Sequence, residues 1–189
     1  MSAVLRPVAE YTSVAKWFHW VSAVLLLIAL SFGFLLEAVG EALKDEAEGT
    51  KYGLYIIHES AGLTLFVVAL ARLFWRWLSP PPPLPETIPR PMRLAASGVH
   101  HLLYLVMILQ PMLGFFATNA WGFPMAGETA YLGFIDLPKF MEANQPLAEN
   151  LGAAHGLVAW LLVLLLVLHV GAVIFHQAIR RDGTLLRMV

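Results

Sequence analysis

Long apolar runs alternate with short polar segments along this chain, and the alternation predicts four membrane-spanning helices. A helix needs about 20 apolar residues to cross roughly 30 Å of hydrocarbon. Four such runs lie near residues 16–37, 53–75, 98–118 and 152–178. A proline-rich linker follows the second run, and Asp182-Gly183 is a turn signal after the fourth. The pattern predicts an all-α, integral membrane four-helix bundle, with residues 1–189 as a single transmembrane domain.

Two segments carry further expectations. Pro111 follows Gln110 inside the third span, and its missing backbone donor is expected to kink the helix or to open it to a partner group. The loop of residues 119–151 contains enough apolar residues to form a short helix on the bundle or on the membrane interface. Those residues are Leu132, Phe134, Ile135, Leu137, Phe140 and Met141.

The composition is typical of a membrane protein and excludes several kinds of cofactor site. Hydrophobic residues make up 59% of the chain and charged residues 13%, and the mean hydropathy of +0.70 lies well outside the range of soluble domains. The chain has no cysteine, which excludes covalent haem attachment through CxxCH, thiolate-bound iron–sulfur clusters and disulfides. Membrane lipid is the expected environment, no nucleic-acid partner is expected, and a partner protein is left open.

Charges are divided unequally between the two ends of the predicted bundle. Nine of the twelve Lys and Arg residues lie in the amino-terminal segment, around residues 72–93 and in the carboxy-terminal tail. The two opposite loops hold only Lys44, Lys51 and Lys139, and ten of the thirteen acidic residues lie on that side. Cytoplasmic segments carry the excess of Lys and Arg. Both termini are therefore predicted to be cytoplasmic, with residues 119–151 forming a loop on the outer side.

Histidines inside the apolar runs are the candidate functional residues, because lipid solvates ionisable groups poorly. His155 and His169 are 14 residues apart in the fourth span, and 14 residues of α-helix rise about 21 Å and return to within about 40° of the same face. One helix can therefore present two imidazoles on one side, near opposite surfaces of a membrane. His19 and His58 lie near the ends of the first and second spans. Small residues expected to support close approach around them are Gly62, Gly152, Gly156 and Gly171.

Depth along the spans pairs these histidines. His58 and His155 lie at similar depth near the outer ends of their spans, and His19 lies about one turn inside the inner end of the first span. The fourth span offers His19 two partners, His169 or His176, because seven residues return to nearly the same face of a helix. Depth favours His176 and burial favours His169, so the residues alone leave this choice open.

Two histidines at each level suit haem better than zinc. Structural zinc prefers four protein ligands in a tetrahedron, whereas an iron porphyrin already supplies four nitrogens and needs two axial ligands. Bis-histidine iron has no open coordination position, which favours electron transfer over oxygen binding. The pattern therefore predicts two haem groups stacked across the membrane.

Several short motifs, spread over nearly the full length, resemble one known family. They are Phe18-His19-Trp20, Ile57-His58-Glu59-Ser60-Ala61-Gly62, Ala71-Arg72-Leu73-Phe74-Trp75-Arg76, the proline-rich linker, Val99-His100-His101-Leu102 with Tyr104, Pro111, the series His155, His169 and His176, and Asp182-Gly183-Thr184-Leu185-Leu186-Arg187-Met188. Taken together they resemble the bacterial cytochrome b561 family, four-helix di-haem cytochromes that are multi-pass proteins of the bacterial inner membrane.

This resemblance implies which residues bind the cofactors. Two b-type haems are expected, one held by His19 and His169 near the cytoplasm and the other by His58 and His155 near the periplasm. The resemblance thus favours His169 over His176 as the inner ligand.

Further contacts and an activity are expected. Arg72, Arg76 and His100 are candidates to hold haem propionates or a quinone oxygen at the inner haem, although the two arginines could equally mark the membrane boundary. Lys51 lies two turns before His58 and is a candidate to reach an outer propionate. The expected activity is electron transfer across the membrane, to or from ubiquinone, with a small redox donor or acceptor at the other end. Superoxide is one candidate donor, which would make the protein a quinone-linked oxidoreductase.

Two other function classes are open. The chain could be the cytochrome b anchor subunit of a larger dehydrogenase or hydrogenase complex. It could also be a haem-free transporter or proton relay that uses its histidines. A visible spectrum separates the last class from the other two.

Overall fold

Four long helices account for most of the chain that the structure describes. The structure, a computed structural model, describes residues 10–40, 48–85, 87–122 and 130–189, apart from the side chains of residues 40, 48–51 and 130. Helix α1 spans Ser13–Gly40, α2 Glu48–Leu78, α3 Arg90–Trp121 and α4 Gln145–Ile174. Each is long and apolar enough to cross a membrane. The predicted all-α bundle of four long apolar helices is confirmed.

Local chemistry explains where α3 and α4 begin and end. Helix α3 runs through Pro111 and ends before Gly122, whose left-handed φ of 95° lets its N–H donate to the carbonyl of Asn119. Asn144 caps α4, because its side-chain oxygen accepts from the N–H of Leu147 at 3.1 Å. At its other end α4 continues as a π-helical turn, Phe175–Arg180. These signals fix the lengths of the two helices that carry His100, His155 and His169.

Sequence neighbours pack against each other, α1 on α2, α2 on α3 and α3 on α4. The buried apolar core consists of Leu26, Leu65, Ala69, Leu103, Val106, Met107, Leu162 and Leu165. Many large apolar side chains remain on the outside, such as Leu157 at 73% exposure and Val167 at 63%. Such a surface is unfavourable in water and suits contact with lipid.

The loop between α3 and α4 contains a small hairpin where a short helix was expected. Strand β1, Ala130–Tyr131, pairs antiparallel with β2, Ile135–Asp136. Leu132 and Gly133 both have left-handed φ values, 57° and 82°. The helical expectation is wrong because these two residues reverse the chain, which a helix cannot accommodate.

Hydrogen bonds fix this loop to the bundle. The Tyr131 hydroxyl bonds to Thr64 Oγ1 at 2.8 Å, and the N–H of Leu132 donates to Ser60 Oγ at 2.8 Å. Further along, the N–H of Phe140 donates to a buried side-chain oxygen of Asn119 at 3.1 Å. The loop therefore lies against α2 and the end of α3.

Both described ends of the chain meet at one end of the bundle. The N–H of Tyr11 donates to the carbonyl of Arg187 at 3.1 Å. Arg187 is only 2% exposed, and its Nη2 donates to the carbonyls of Pro82 and Pro83 at 2.7 and 2.9 Å. The carboxy-terminal turn thus connects the start of α1 with the linker between α2 and α3.

Candidate functional site

Every helix carries two functional-site positions 14 residues apart. They are His19 and Gly33 in α1, His58 and Arg72 in α2, His100 and Gly114 in α3, and His155 and His169 in α4. Contacts place His19, Arg72, His100 and His169 together at one level of the bundle. The other four positions meet at the opposite level. We call these the inner and the outer level, after the predicted orientation.

His58 and His155 face each other at the outer level, with ring centroids 6.0 Å apart and ring planes at 83°. Nδ1 of His58 donates to the carbonyl of Ala29 at 2.7 Å, and Nδ1 of His155 donates to the carbonyl of Gln110 at 3.0 Å. The Gln110 side chain returns a bond from Nε2 to the His155 carbonyl at 3.0 Å. With the proton on Nδ1, each neutral ring keeps its lone pair on Nε2. This is the tautomer of a metal-binding histidine that is oriented through its second nitrogen.

Gly33 and Gly114 make room for these two rings. A Cβ at Gly33 would lie 2.7 Å from Cε1 of His58, and a Cβ at Gly114 would lie 3.0 Å from Cε1 of His155. Each glycine stands four residues, about one helical turn, after the carbonyl that accepts the Nδ1 proton. Helices α1 and α3 therefore each provide an acceptor and an adjacent gap for the imidazole of the next helix.

A cavity of about 340 Å³ opens beside the outer pair, a size typical of small-molecule pockets. Both outer histidines and mostly apolar residues from all four helices line it. Two buried oxygens in this lining, Oε2 of Glu59 and Oε1 of Gln110, have no hydrogen-bond partner among the described residues. Thr118 donates to the other carboxyl oxygen of Glu59 at 3.1 Å. Since buried polar atoms normally find partners, this lining suits a ligand with both apolar and polar surface.

His19 and His169 face each other at the inner level, with ring centroids 6.2 Å apart and ring planes at 59°. Nη2 of Arg72 lies 3.0 Å from Nδ1 of His19. A guanidinium group can only donate, so this nitrogen accepts and the proton of the neutral ring is on Nε2. His19 therefore has the opposite tautomer to the two outer histidines.

A third imidazole and two fixed cations complete the inner level. The ring of His100 lies 5.2 Å from that of His169, and its Nδ1 donates to the carbonyl of Ala96 at 2.6 Å. The guanidinium carbons of Arg72 and Arg76 lie 5.2 and 5.7 Å from the ring centroid of Tyr104. Contacts of this kind hold arginine against an aromatic ring. The inner level thus holds two cationic side chains, whereas the described lining of the outer cavity includes no Lys or Arg.

His176 belongs to a separate cluster beyond the inner level. Its Nδ1 lies 2.5 Å from Oδ2 of Asp182, and Nε of Arg180 donates to the same oxygen at 2.9 Å. Burial raises the pKa of the Asp182 carboxyl, but hydrogen bonds from Thr184, His176 and Arg180 outweigh it and hold that pKa below its usual range. His176 is therefore paired with a carboxylate, and His169 is the residue of α4 that faces His19.

A layer of apolar side chains separates the two levels. Leu26, Leu65, Met107 and Leu162 each lie seven residues from both site positions of their own helix. All four belong to the core and are at most 5% exposed. A seven-residue repeat keeps one face of a helix toward its neighbours along a bundle. The two levels are therefore each about 10 Å from a buried apolar central layer.

The ring separation at both levels fits a metal centre with two protein ligands. A metal held by two opposed imidazole nitrogens, each about 2 Å away, separates the ring centres by about 6 Å. The observed separations are 6.2 and 6.0 Å. Within the part of the chain that the structure describes, no group of three or more His, Cys, Asp or Glu side chains is placed to hold a metal ion. Two ligands per level suit a cofactor that brings its own ligands, such as an iron porphyrin.

Four apolar helices with opposed histidine pairs define the class of membrane cytochromes b. Residues 10–189 match the family model of prokaryotic cytochrome b561, and the chain belongs to this family, whose cytochromes bind haem. The family resemblance of the sequence motifs is thereby confirmed.

Named relatives cover nearly the whole chain. It is 31% identical over 181 residues to "Cytochrome b561 homolog 2" of Escherichia coli (strain K12), covering 95% of this chain and 91% of the relative. It is 29% identical over 182 residues to "Probable superoxide oxidase CybB" of Yersinia pestis, covering 95% of this chain and 96% of the relative. "Cytochrome b562" of Cereibacter sphaeroides is 30% identical over 179 residues, with 95% of this chain and 94% of that protein covered.

The structure brings together most of the residues that the sequence singled out. The four candidate ligands form two pairs, and Arg72, Arg76 and His100 lie at the inner level. The side chain of Lys51 lies outside the described part of the chain. Haem binding by these residues remains a prediction.

Gly33 and Gly114 were missed. Close approach was expected at other glycines, but a Cβ at Gly62, Gly152, Gly156 or Gly171 would meet nothing within 4 Å. A signal was present in the sequence: Gly33 and Gly114 follow His19 and His100 by 14 residues, the same spacing that separates His155 from His169.

Proposed function

We propose that this protein is a di-haem b-type cytochrome of the bacterial inner membrane that carries electrons between the two membrane faces. In this proposal His19 and His169 hold one haem, and His58 and His155 hold the other. The supporting observation is the pair of opposed imidazoles at each level, with ring centroids 6.2 and 6.0 Å apart. Each haem, when bound, supplies one-electron chemistry at its iron.

The chain's own residues orient the ligands and separate the two levels. Main-chain carbonyls fix the rings of His58 and His155 through their Nδ1 atoms. The buried layer of Leu26, Leu65 and Met107, completed by Leu162, provides an apolar boundary between the levels. Two histidines at each level would hold a haem iron without leaving it an open position, which would favour electron transfer over oxygen binding.

The proposed lipid-soluble partner is ubiquinone, with a small redox partner at the opposite face. Arg72, Arg76 and His100 are the residues proposed to bind propionates or a quinone oxygen at the inner level, because they are the polar groups gathered there. Superoxide is a candidate donor at the outer face, since one relative is named "Probable superoxide oxidase CybB".

A visible spectrum and a haem assay of the purified protein test the central proposal. Reduction is expected to give the absorption bands of b-type haem, with a haem-to-protein ratio near two. Absence of these bands would favour the haem-free transporter or relay, and a ratio near one would refute the second pair.

Single histidine substitutions test the pairing. His19→Ala or His169→Ala should remove one haem, and His58→Ala or His155→Ala should remove the other. His176→Ala, in the π-helical turn that follows α4, is the control and should retain both haems, because His176 contacts Asp182. Loss of a haem in His176→Ala together with a full complement in His169→Ala would show that the inner pairing is wrong.

Ionic strength tests superoxide as the donor. Ten of the thirteen acidic residues lie on the predicted outer side, and a negative surface repels an anion at long range. Screening by salt should therefore speed the reduction of the cytochrome by superoxide. A steep slowing would indicate instead a dominant basic approach route.

A further inference from the structure

We infer that Arg72 gives the inner haem the higher reduction potential, so that an electron shared between the two haems resides mainly at the inner level. This inference rests on the proposed di-haem function and adds a direction to it. Electrons entering from the outer face would move energetically downhill toward the cytoplasmic end. Arg72 acts here as a residue that tunes a cofactor, not as a ligand.

The two levels differ in fixed charge. Nη2 of Arg72 contacts the imidazole of His19 at 3.0 Å, and Arg76 lies with Arg72 against the ring of Tyr104. The described side chains that line the outer cavity include the carboxyl groups of Glu37 and Glu59 and no Lys or Arg. Positive charge is therefore built into the inner level and is not matched in the described lining of the outer one.

Fixed charge changes a reduction potential in a known direction. Adding an electron to a ferric haem lowers its positive charge by one, so a nearby cation stabilises the reduced form and raises the potential. Arginine remains protonated at all physiological pH values. The interaction is weakly screened because the core beside it is apolar and buried. Arg72 at the inner level should thus favour the ferrous state of the inner haem.

The exchange between the levels is balanced without any other reactant. With both haems bound, one electron would pass from a ferrous outer haem, leaving it ferric, to a ferric inner haem, making it ferrous. The apolar side chains of Leu26, Leu65, Met107 and Leu162, which lie between the levels, have no group that could carry a proton with the electron. The direction of electron transfer would therefore depend only on the reduction potentials of the two haems.

The test is a potentiometric titration of the purified holoprotein, followed by visible absorption and by the low-spin ferric EPR signals. His58→Ala removes the outer ligand and identifies the remaining component as the inner one. The reduction potential of this remaining component should equal that of the higher-potential component of the unsubstituted protein. Arg72→Gln should lower its reduced-to-oxidised ratio at a fixed ambient potential at least tenfold, equal to about 59 mV for one electron, and leave the outer component unchanged.

Two matched variants separate charge from folding. Arg72→Lys keeps the charge and should retain most of the potential, and Arg90→Gln removes a cation at the start of α3 and should shift neither component. The inference is overturned if the higher-potential component disappears in His58→Ala, an outcome that does not depend on folding of any Arg72 variant. It is also overturned if Arg72→Gln binds two haems with unchanged potentials. A haem ratio below two in the unsubstituted protein would instead contradict the proposed function.

Discussion

The outer and inner levels present the same pair of imidazoles in different surroundings. At the outer level both rings donate to main-chain carbonyls and lie against glycines, so the backbone fixes their position. At the inner level, side chains surround the pair: Arg72 donates to His19, and His100 lies 5.2 Å from His169. For the proposed haem ligation, the outer rings already have a free Nε2 lone pair, whereas His19 would have to exchange its tautomer and its partner before its Nε2 could bind iron.

The largest effect should follow from filling the gap behind an outer ring. Gly33→Ala places a Cβ 2.7 Å from the His58 ring, and overpacking of this kind costs about 1–3 kcal/mol. Because 1.4 kcal/mol is tenfold in affinity, the outer haem should bind about tenfold more weakly or be lost, while the inner haem remains. The haem-to-protein ratio after extensive washing measures this.

Two other glycines calibrate that result. Gly114→Ala should weaken the binding of the outer haem less than Gly33→Ala does, because its Cβ would lie 3.0 Å from the His155 ring. Gly98 lies in α3 with Gly114, and Gly98→Ala should leave the haem content unchanged, since its Cβ would meet no atom within 4 Å. Equal haem contents in all three variants would show that the backbone does not position the outer ligands.

The levels should also fill in a fixed order when haem is added to apoprotein. Breaking the charged hydrogen bond from Arg72 to His19 costs about 1.5–3 kcal/mol, whereas the outer ligands already have the required tautomer. The outer level should therefore bind the first equivalent of haem with an affinity at least tenfold higher. The EPR signal that His58→Ala removes identifies the outer haem, and its late appearance in the titration would contradict the comparison.

A smaller effect is expected from His100→Ala. Both proposed inner ligands remain, so the protein should keep two haems, with a change confined to the low-spin EPR signal of the inner one. The contact that is lost is the one between His100 and the ring of His169. Loss of the inner haem would mean that His100 is itself a ligand.

The smallest effect on the cofactors should come from Asp182→Asn, beyond the inner level. Both haems should remain. The free energy of unfolding at neutral pH should fall by about 2 kcal/mol, the typical contribution of hydrogen bonds to a charged group. The folded-state pKa of Asp182 is lowered, so its stabilisation is complete above the unfolded-state pKa of about 3.9 and is lost as the pH falls further. Melting temperatures of the two proteins should therefore converge at acidic pH, and a constant difference would refute this assignment.

The ligand candidates and the four helices were predictable because both follow from one-dimensional patterns. Apolar runs fix the helices, and the spacing of His155 and His169 fixes two positions on one face. The partner of His19 was not predictable from depth, because His169 and His176 share a helix face. Asp182 decides this point in space, by folding back onto His176 through the turn that follows α4.

Sequence reasoning missed the hairpin and the glycine gaps for different reasons. The hairpin depends on partners far away in the chain, Ser60 and Thr64 for Leu132 and Tyr131. Gly33 and Gly114 matter because of rings on neighbouring helices, which no local pattern reveals. Once one histidine pair is known, however, the 14-residue spacing locates both glycines.

The outer rings are seated in the same way in the two helix pairs, α1 with α2 and α3 with α4. Helix α1 seats a histidine of α2, and α3 seats a histidine of α4, through the same carbonyl and glycine arrangement. The equivalent positions are His19 and His100, Gly33 and Gly114, His58 and His155, and Arg72 and His169. The residues are identical at three of these four pairs of positions and differ at the last. Exchanging α1 with α3 and α2 with α4 converts the pair His19–His169 into His100 with Arg72. Because Arg72 has no imidazole, the inner level contains one facing histidine pair where an exact repeat would give two.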